Sequence, residues 1–403
     1  MSKVPKLRFK EFNTEYKEYK LSELLKRRSK NNKDGEFGID DILSLSSHYG
    51  IVDRRELLED TYSKVNHLNY LKTRINDFVY GKSISAKYPF GLFKVNNLRD
   101  GLLSTLYFTF ETFEIVSPKY LDKYFSHQIR ANNFLRKYVL VGDRYITADS
   151  DYILSGKIFI PIKQEQEKIT SFLTSIDTKI EQLIKKEKLL QKYKKSVIQK
   201  IFNKKIRFKA DNGSEFCDWE NIQLGSILIE SKEKSIINNQ HDVLSSTKED
   251  IVLQSEYFNR EIASKDNVGY KILKRNQLVF SPQNLWLGNI NINTKYEIGI
   301  VSPSYKIYNI KEKLILVDYL KYIIKTPKMM FNYEQASEQG ASIVRRSLNI
   351  DLFNIINIAI PSIQEQIKIS NFLSSIDSKI EQTQKQLESS KEFKKALLQQ
   401  MFV

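Results

Sequence analysis

The clearest hydrophobic periodicity in the chain occurs twice, with 200 residues between the copies. Ile158–Phe202 and Ile358–Phe402 are identical at 22 of 45 positions without a gap. Each copy opens on Ile-x-Ile-Pro, which predicts a short apolar strand stopped by a proline that lacks the N–H for its continuation. Gln-Glu-Gln then opens a helix. In the first copy apolar positions recur in steps of four and three at Ile169, Leu173, Ile176, Ile180 and Leu183, and the register continues through Glu187, Leu190, Lys194, Val197 and Ile201. The second copy repeats it at Ile369, Leu373, Ile376 and Ile380, then Thr383, Leu387, Ser390, Lys394, Leu397 and Met401. This is coiled-coil spacing, dense early and patchy late. With neither Gly nor Pro between Gln-Glu-Gln and the terminal Phe, the pattern predicts a rod of roughly 38 residues and about 57 Å.

A rod of that length with an incomplete apolar stripe needs a partner. Its duplicate is one choice, in antiparallel pairing about a pseudo-twofold axis. Packing of each helix on its own globular segment is the other. Weaker echoes extend the repeat: LRFK at Leu7–Lys10 and IRFK at Ile206–Lys209, Tyr70–Tyr80 and Tyr270–Phe280, IVSPKY at Ile115–Tyr120 and IVSPSY at Ile300–Tyr305.

Between these anchors, residues 11–157 and 215–357 diverge. They mix β-type runs at Asp77–Tyr80, Gln277–Phe280, Ile298–Val301 and Ser304–Ile307 with helical patterns at Pro118–Val139 and Val317–Ser337, which predicts α+β domains. The expected layout is a globular domain over 1–160, a central helix over 161–204, a second globular domain over 205–360 and a terminal helix over 361–403.

Composition adds a partner class. The 403 residues carry 64 Lys and Arg against 48 Asp and Glu, a net charge of +16, and 41% hydrophobic residues exclude a disordered chain. The excess is local, concentrated in the central helix at Lys185, Lys186, Lys188, Lys192, Lys194 and Lys195 and in the run Lys26–Lys33. Such clusters fit nucleic acid, an acidic partner surface or a solvated helix face. The segment 210–362, by contrast, is nearly neutral.

Catalytic chemistry is not legible. Gly81-Lys82-Ser83 looks like the tail of a phosphate-binding loop, but Asn76 stands where the second glycine is needed, and an ordinary turn explains it better. There is no Gly-x-Gly and no Pro-Pro pair, so the usual loops for a dinucleotide, for S-adenosylmethionine or for a flipped base are not visible. The Glu-x-Lys pairs read as charge patterning. Cys217 alone excludes an internal disulfide, and His48, His67, His127 and His241 are too dispersed for a metal site. The N-terminus has no apolar leader segment and no run of about 18 apolar residues occurs, which predicts a cytoplasmic protein without a membrane partner.

Two unlike domains, each followed by a near-identical helix, resemble the specificity subunit of type I restriction-modification enzymes. The resemblance covers the whole chain. It rests on Ile160–Gln182 and Ile360–Gln382, with support from Pro5–Phe9. It implies a non-catalytic DNA-binding subunit: two target recognition domains reading the halves of a bipartite double-stranded DNA sequence, held apart by an antiparallel coiled-coil spacer. It also implies two adenine-N6 methyltransferase subunits and restriction motor-nuclease subunits as partners, with S-adenosylmethionine, ATP and Mg on those partners and no cofactor or metal in this chain. A coiled-coil assembly scaffold, or an inactive decoy specificity subunit, remains the alternative.

Under that reading, base-reading candidates are polar, basic and aromatic residues of loops. In the first domain these are Lys82, Ser83, Lys87 and Arg144. In the second they are Gln283, Asn284, Trp286, Arg345 and Arg346. Each also fits a turn or surface role, and Trp286 fits a core position.

Overall fold

The computed structural model describes residues 4–47, 49–56, 66–82, 87–142, 146–257, 266–339 and 346–403. It is a mixed helix-and-strand fold in two compact units. Unit 1 comprises Met1–Lys185 with Gln384–Val403, and unit 2 comprises Lys186–Thr383. Two helices far exceed the rest, Lys163–Phe202 and Ile363–Gln400, and the unit boundaries fall within them.

In unit 1 a four-stranded antiparallel sheet has the order Leu25–Arg28, Tyr107–Thr112, Phe78–Gly81, Leu92–Val95. Phe78 lies opposite Phe110, and Arg27 opposite Phe110 from the other side. Pairs of short strands flank the sheet, among them Leu71–Thr73 with Gly101–Leu103. One face packs on Pro118–Ser126 and Gln128–Leu135 in a core rich in aromatic rings, where Phe78 stacks on Phe93 at 4.8 Å and Phe93 meets Phe125 at 4.6 Å.

In unit 2 the corresponding sheet has the order Leu228–Ser231, Lys306–Ile310, Leu278–Phe280, Ile290–Ile292, with Leu278 opposite Tyr308 and Tyr308 opposite Glu230. Its helices are Val317–Ile323 and Pro327–Gln335. The sequence pattern ran each helix pair together as one element, Pro118–Val139 and Val317–Ser337. The structure corrects this: His127 and Thr326 break the runs by accepting the backbone N–H of Arg130 and Met329 as N-caps, and both Val139 and Ser337 begin strands. A cap side chain that ends one helix and starts the next leaves hydrophobic periodicity almost unchanged.

The Ile-x-Ile-Pro segments are strands, Lys157–Ile160 and Asn357–Ile360. They pair antiparallel with Lys17–Lys20 and Glu220–Gln223 respectively. Their alternation is that of a half-buried strand: Ile158, Ile160, Ile358 and Ile360 point into the cores and Lys157 and Asn357 to solvent.

Within unit 1, Ile169, Leu173 and Ile176 at the start of the first long helix share a core with the globular part and with Leu397, Leu398, Met401 and Phe402 at the end of the second. Ile180 is half-buried against this core, and Leu183 and Leu387 are also buried. Within unit 2, Val197 and Ile201 at the end of the first helix share a core with Ile369, Leu373 and Ile376 at the start of the second, with Ile380 at its margin. Leu190 is half-buried. In each unit the start of one long helix thus meets the end of the other, which is antiparallel packing.

Candidate nucleic-acid interface

The repeated Gln-Glu-Gln motif builds the junction between helix and globular part. In unit 1 the fully buried Glu165 carboxylate takes a bidentate pair from Arg8, at 2.8 and 2.7 Å, and the Tyr16 hydroxyl donates to it at 3.2 Å. The hydrogen bond to Glu165 raises the Arg8 guanidinium further above its ordinary value, and burial, then Glu165, pushes the Tyr16 phenol up. In unit 2, Glu365 takes Arg207 at 2.8 and 3.0 Å and the indole N–H of Trp219 at 3.0 Å. Two planar donors and one neutral donor on a buried carboxylate are what its ionised form needs.

The following glutamine secures the adjacent loop. Gln166 Oε1 accepts the Ser117 N–H at 2.8 Å, and its Nε2 donates to the Pro161 and Ile115 carbonyls. Gln366 repeats this with the Leu316 N–H and the Pro361 and Leu314 carbonyls. Six residues further along each helix, the Phe9 and Phe172 rings meet at 5.8 Å, and those of Phe208 and Phe372 at 5.6 Å. Further along, Asp177 is held by Lys123 and Lys394, and Asp377 by the Tyr322 hydroxyl at 2.7 Å and by Lys194. Burial pushes the Asp177 carboxyl up, but the two ammonium groups outweigh it and the net direction is down.

This junction fixes each sheet on its helix, and the loops at one end of the sheet carry the divergent chemistry. In unit 1, Lys82 follows the strand Phe78–Gly81 and sets its ammonium 4.4 Å from the Phe108 ring centroid. Lys87 is exposed, its ammonium 5.4 Å from the Tyr88 ring and its carbonyl accepting Gln128 Nε2 at 2.7 Å. Ser83 and Arg144 lie outside the described residues.

In unit 2, Leu285–Leu287 is a single 3-10 turn closed by Gly288 at φ +94°, a left-handed position that suits glycine. The turn brings three candidates together. The Arg346 guanidinium lies 4.3 Å from the Trp286 ring centroid, and the Arg346 N–H donates to the Gln283 carbonyl at 3.4 Å. Gln283 is exposed, and Asn284 Nδ2 reaches Ser281 Oγ at 3.4 Å. Arg346 also pairs with Glu334 at 3.2 Å, while its Nε and the Trp286 indole N–H have no hydrogen-bond partner among the described residues. Arg345 lies outside the described residues.

Sequence reasoning missed Arg27, whose guanidinium lies 4.9 Å from the Phe108 ring centroid and donates to Ser150 Oγ at 2.7 Å. It stands within the basic run Lys26–Lys33, yet nothing in that run separates it from Arg28, which the fold neutralises with Asp77 at 2.9 Å. The signal is tertiary, because Phe108 arrives from a strand 80 residues later in the chain.

Among the described residues no group of three or more His, Cys, Asp or Glu side chains is placed to hold a metal ion, and no helix is long and apolar enough to cross a membrane.

No protein-family model matches the chain. A curated relative, the putative type I restriction enzyme MjaX specificity subunit of Methanocaldococcus jannaschii, is 25% identical over 256 residues, 60% of this chain and 57% of that protein. The match therefore spans little more than half of the relative's length. Among solved structures, the type I restriction-modification S subunit from M. genitalium matches with a TM-score of 0.55 at 15% identity over 99% of both chains. A chain from a type I restriction-modification structure concerned with complex assembly and conformational transition matches with 0.51 at 11% identity, over 96% of this chain and 97% of that one. In sequence this chain is similar to a putative type I restriction enzyme specificity subunit, and it shares its fold with a solved type I restriction-modification S subunit.

Proposed function

We infer that the chain is the non-catalytic, sequence-reading subunit of a type I restriction-modification complex. The observation that carries this reading is the pairing of two near-identical junctions with two divergent sheet ends. A carboxylate, an arginine and a glutamine hold each sheet on its helix by the same bonds, whereas at the sheet end Arg27 lies over Phe108 in unit 1, and in unit 2 Glu230 pairs with Lys306 and Arg346 lies over Trp286. A protein that presents two different surfaces on one repeated mount is suited to reading two different half-sites.

On this reading residues 1–160 and 205–360 are target recognition domains, and the helices of 161–204 and 361–403 pair as an antiparallel coiled-coil spacer about a pseudo-twofold axis. Half-sites about one helical turn apart, 34–36 Å, would present one DNA face to both readers. Affinity comes from phosphate contacts and specificity from base edges in the grooves. Methylation, ATP use and cleavage belong to the methyltransferase and motor-nuclease partners, which bring S-adenosylmethionine, ATP and Mg. The place of action is the cytoplasm.

The test is a long-read map of N6-methyladenine in the source strain with and without this gene. Loss of one split motif when the gene is removed is the expected result. An unchanged map with the methyltransferase partner expressed would leave an assembly scaffold or an inactive decoy as the better account. A second variant tests the spacer. Removing four residues from 182–200 together with the matching four from 382–400 shortens the rods by about 6 Å, which is roughly two base-pair steps. The unspecified gap is expected to shorten with them.

A further inference from the structure

We propose that Arg27 reads a guanine in the half-site contacted by unit 1. The inference rests on the specificity-subunit reading and adds to it a base and a residue.

Three features set Arg27 apart from the other cations of its unit. It is exposed, yet its guanidinium is oriented from two sides, by the Phe108 ring at 4.9 Å and by Ser150 Oγ, which accepts Nη1 at 2.7 Å. Phe108 belongs to the main core and is almost fully buried, so the platform is rigid. And among the described residues Arg27 makes no ion pair, whereas Arg28 and Arg74 are both spent on carboxylates. The nearby Asp149 carboxyl is held low first by the backbone N–H groups of Tyr152 and Asp151, which it accepts as a helix N-cap, and only then by Arg27 and Lys82.

A phosphate contact needs little more than a charge within reach, and Lys82, over the same ring at 4.4 Å, is well suited to that. A planar donor fork fixed in advance by stacking and by a hydroxyl loses little freedom on binding. The base-edge partner that matches such a fork is guanine, through O6 and N7.

Unit 2 strengthens the assignment by contrast. Arg27 lies opposite Phe110, which lies opposite Phe78; by the same register Glu230 lies opposite Tyr308, which lies opposite Leu278. Glu230 thus occupies the position of Arg27 and Lys306 that of Phe108, and the two form an ion pair at 2.6 Å. The arginine-on-ring arrangement reappears in unit 2 from another part of the chain, as Arg346 over Trp286.

The experiment maps N6-methyladenine on a plasmid library of randomised sites in cells that carry the partner methyltransferase genes and either the unaltered chain, Arg27→Ala or Arg27→Lys. Both variants are expected to lose discrimination for one guanine by about 10- to 100-fold in one half-site, with the other half-site unchanged. Lysine should not rescue, because it keeps the charge and loses the fork. An unchanged motif overturns the proposal, as does a weakening that is uniform across sites and is rescued by Arg27→Lys, since that marks a phosphate contact. A melting curve of each variant excludes unfolding as the cause of a uniform loss. If the unaltered chain directs no split motif at all, the specificity-subunit reading fails and this proposal with it.

Discussion

Where helix meets sheet the two units repeat the same arginine–glutamate and glutamine bonds, with Trp219 in place of Tyr16 as the neutral donor, and at the sheet end they part. Arg8 on Glu165 and Arg207 on Glu365 differ by no more than a few tenths of an ångström, and the glutamine contacts of Gln166 and Gln366 reach equivalent backbone groups. At the sheet end, unit 1 sets Arg27 and Lys82 over one ring, with no ion pair to either among the described residues, whereas unit 2 neutralises Lys306 with Glu230 and carries its arginine-on-ring contact at Arg346. A buried carboxylate has few workable surroundings, because an unmatched charge costs several kcal/mol. Exposed loops have many, because water satisfies whatever they do not. The mount therefore tolerates little change and the presented surface tolerates a great deal.

The largest effect expected concerns the mount. Replacing the glutamate as Glu165→Gln or Glu365→Gln leaves a partly buried arginine without its counter-charge and should cost about 3 kcal/mol in each unit. Urea denaturation of the two variants checks this. A silent change in one unit would break the equivalence of the junctions.

A smaller effect is expected one helical stretch further along. Asp177→Asn loses two ammonium partners, and Asp377→Asn one ammonium and one phenol, so each should cost about 1–2 kcal/mol at neutral pH. The pH dependence sharpens the comparison. The folded Asp177 carboxyl is held below its unfolded value, so its stabilisation is present above the unfolded carboxylate range near 3.9 and is lost as pH falls through the lower folded value. Asp177→Asn should accordingly flatten the acid limb of a stability-against-pH profile. A wild-type acid limb in that variant would show that the two lysines do not act through Asp177.

The smallest effect expected is at the sheet ends. Glu230→Gln releases Lys306 at a stability cost of about 0.5 kcal/mol, since the pair is half-buried at the edge of the sheet and water screens part of its attraction. If Lys306 then reaches a phosphate, the salt dependence of DNA binding by the assembled complex steepens by about one unit. Lys82→Gln should shift the slope by a similar amount in the opposite direction. Unchanged slopes in both would remove the two ends from the list of backbone contacts.

Much of the mount could be read from the chain. Ile-x-Ile-Pro, Gln-Glu-Gln and the four-three spacing mark a strand, a helix start and a buried stripe, and the helices span Lys163–Phe202 and Ile363–Gln400. The echo of LRFK in IRFK was legible too, but its meaning was not. Arg8 and Glu165 are 157 residues apart, and no local pattern joins them. The same holds for the loops. Gln283, Trp286 and Arg346 stand out by their chemistry, yet that Arg346 lies over Trp286 depends on a turn and a strand 60 residues apart meeting. Arg27 carries no local signal, because its sequence neighbours look like it.

By itself the sequence determined the duplication, the two long helices and the strands that lead into them, because these follow from periodicity and from the covalent limits of proline, which act over a few residues. Only the tertiary structure decided which charges are spent and which are left to meet a ligand. An ion pair or a stacked ring is a matter of ångströms between residues that can stand a hundred positions apart.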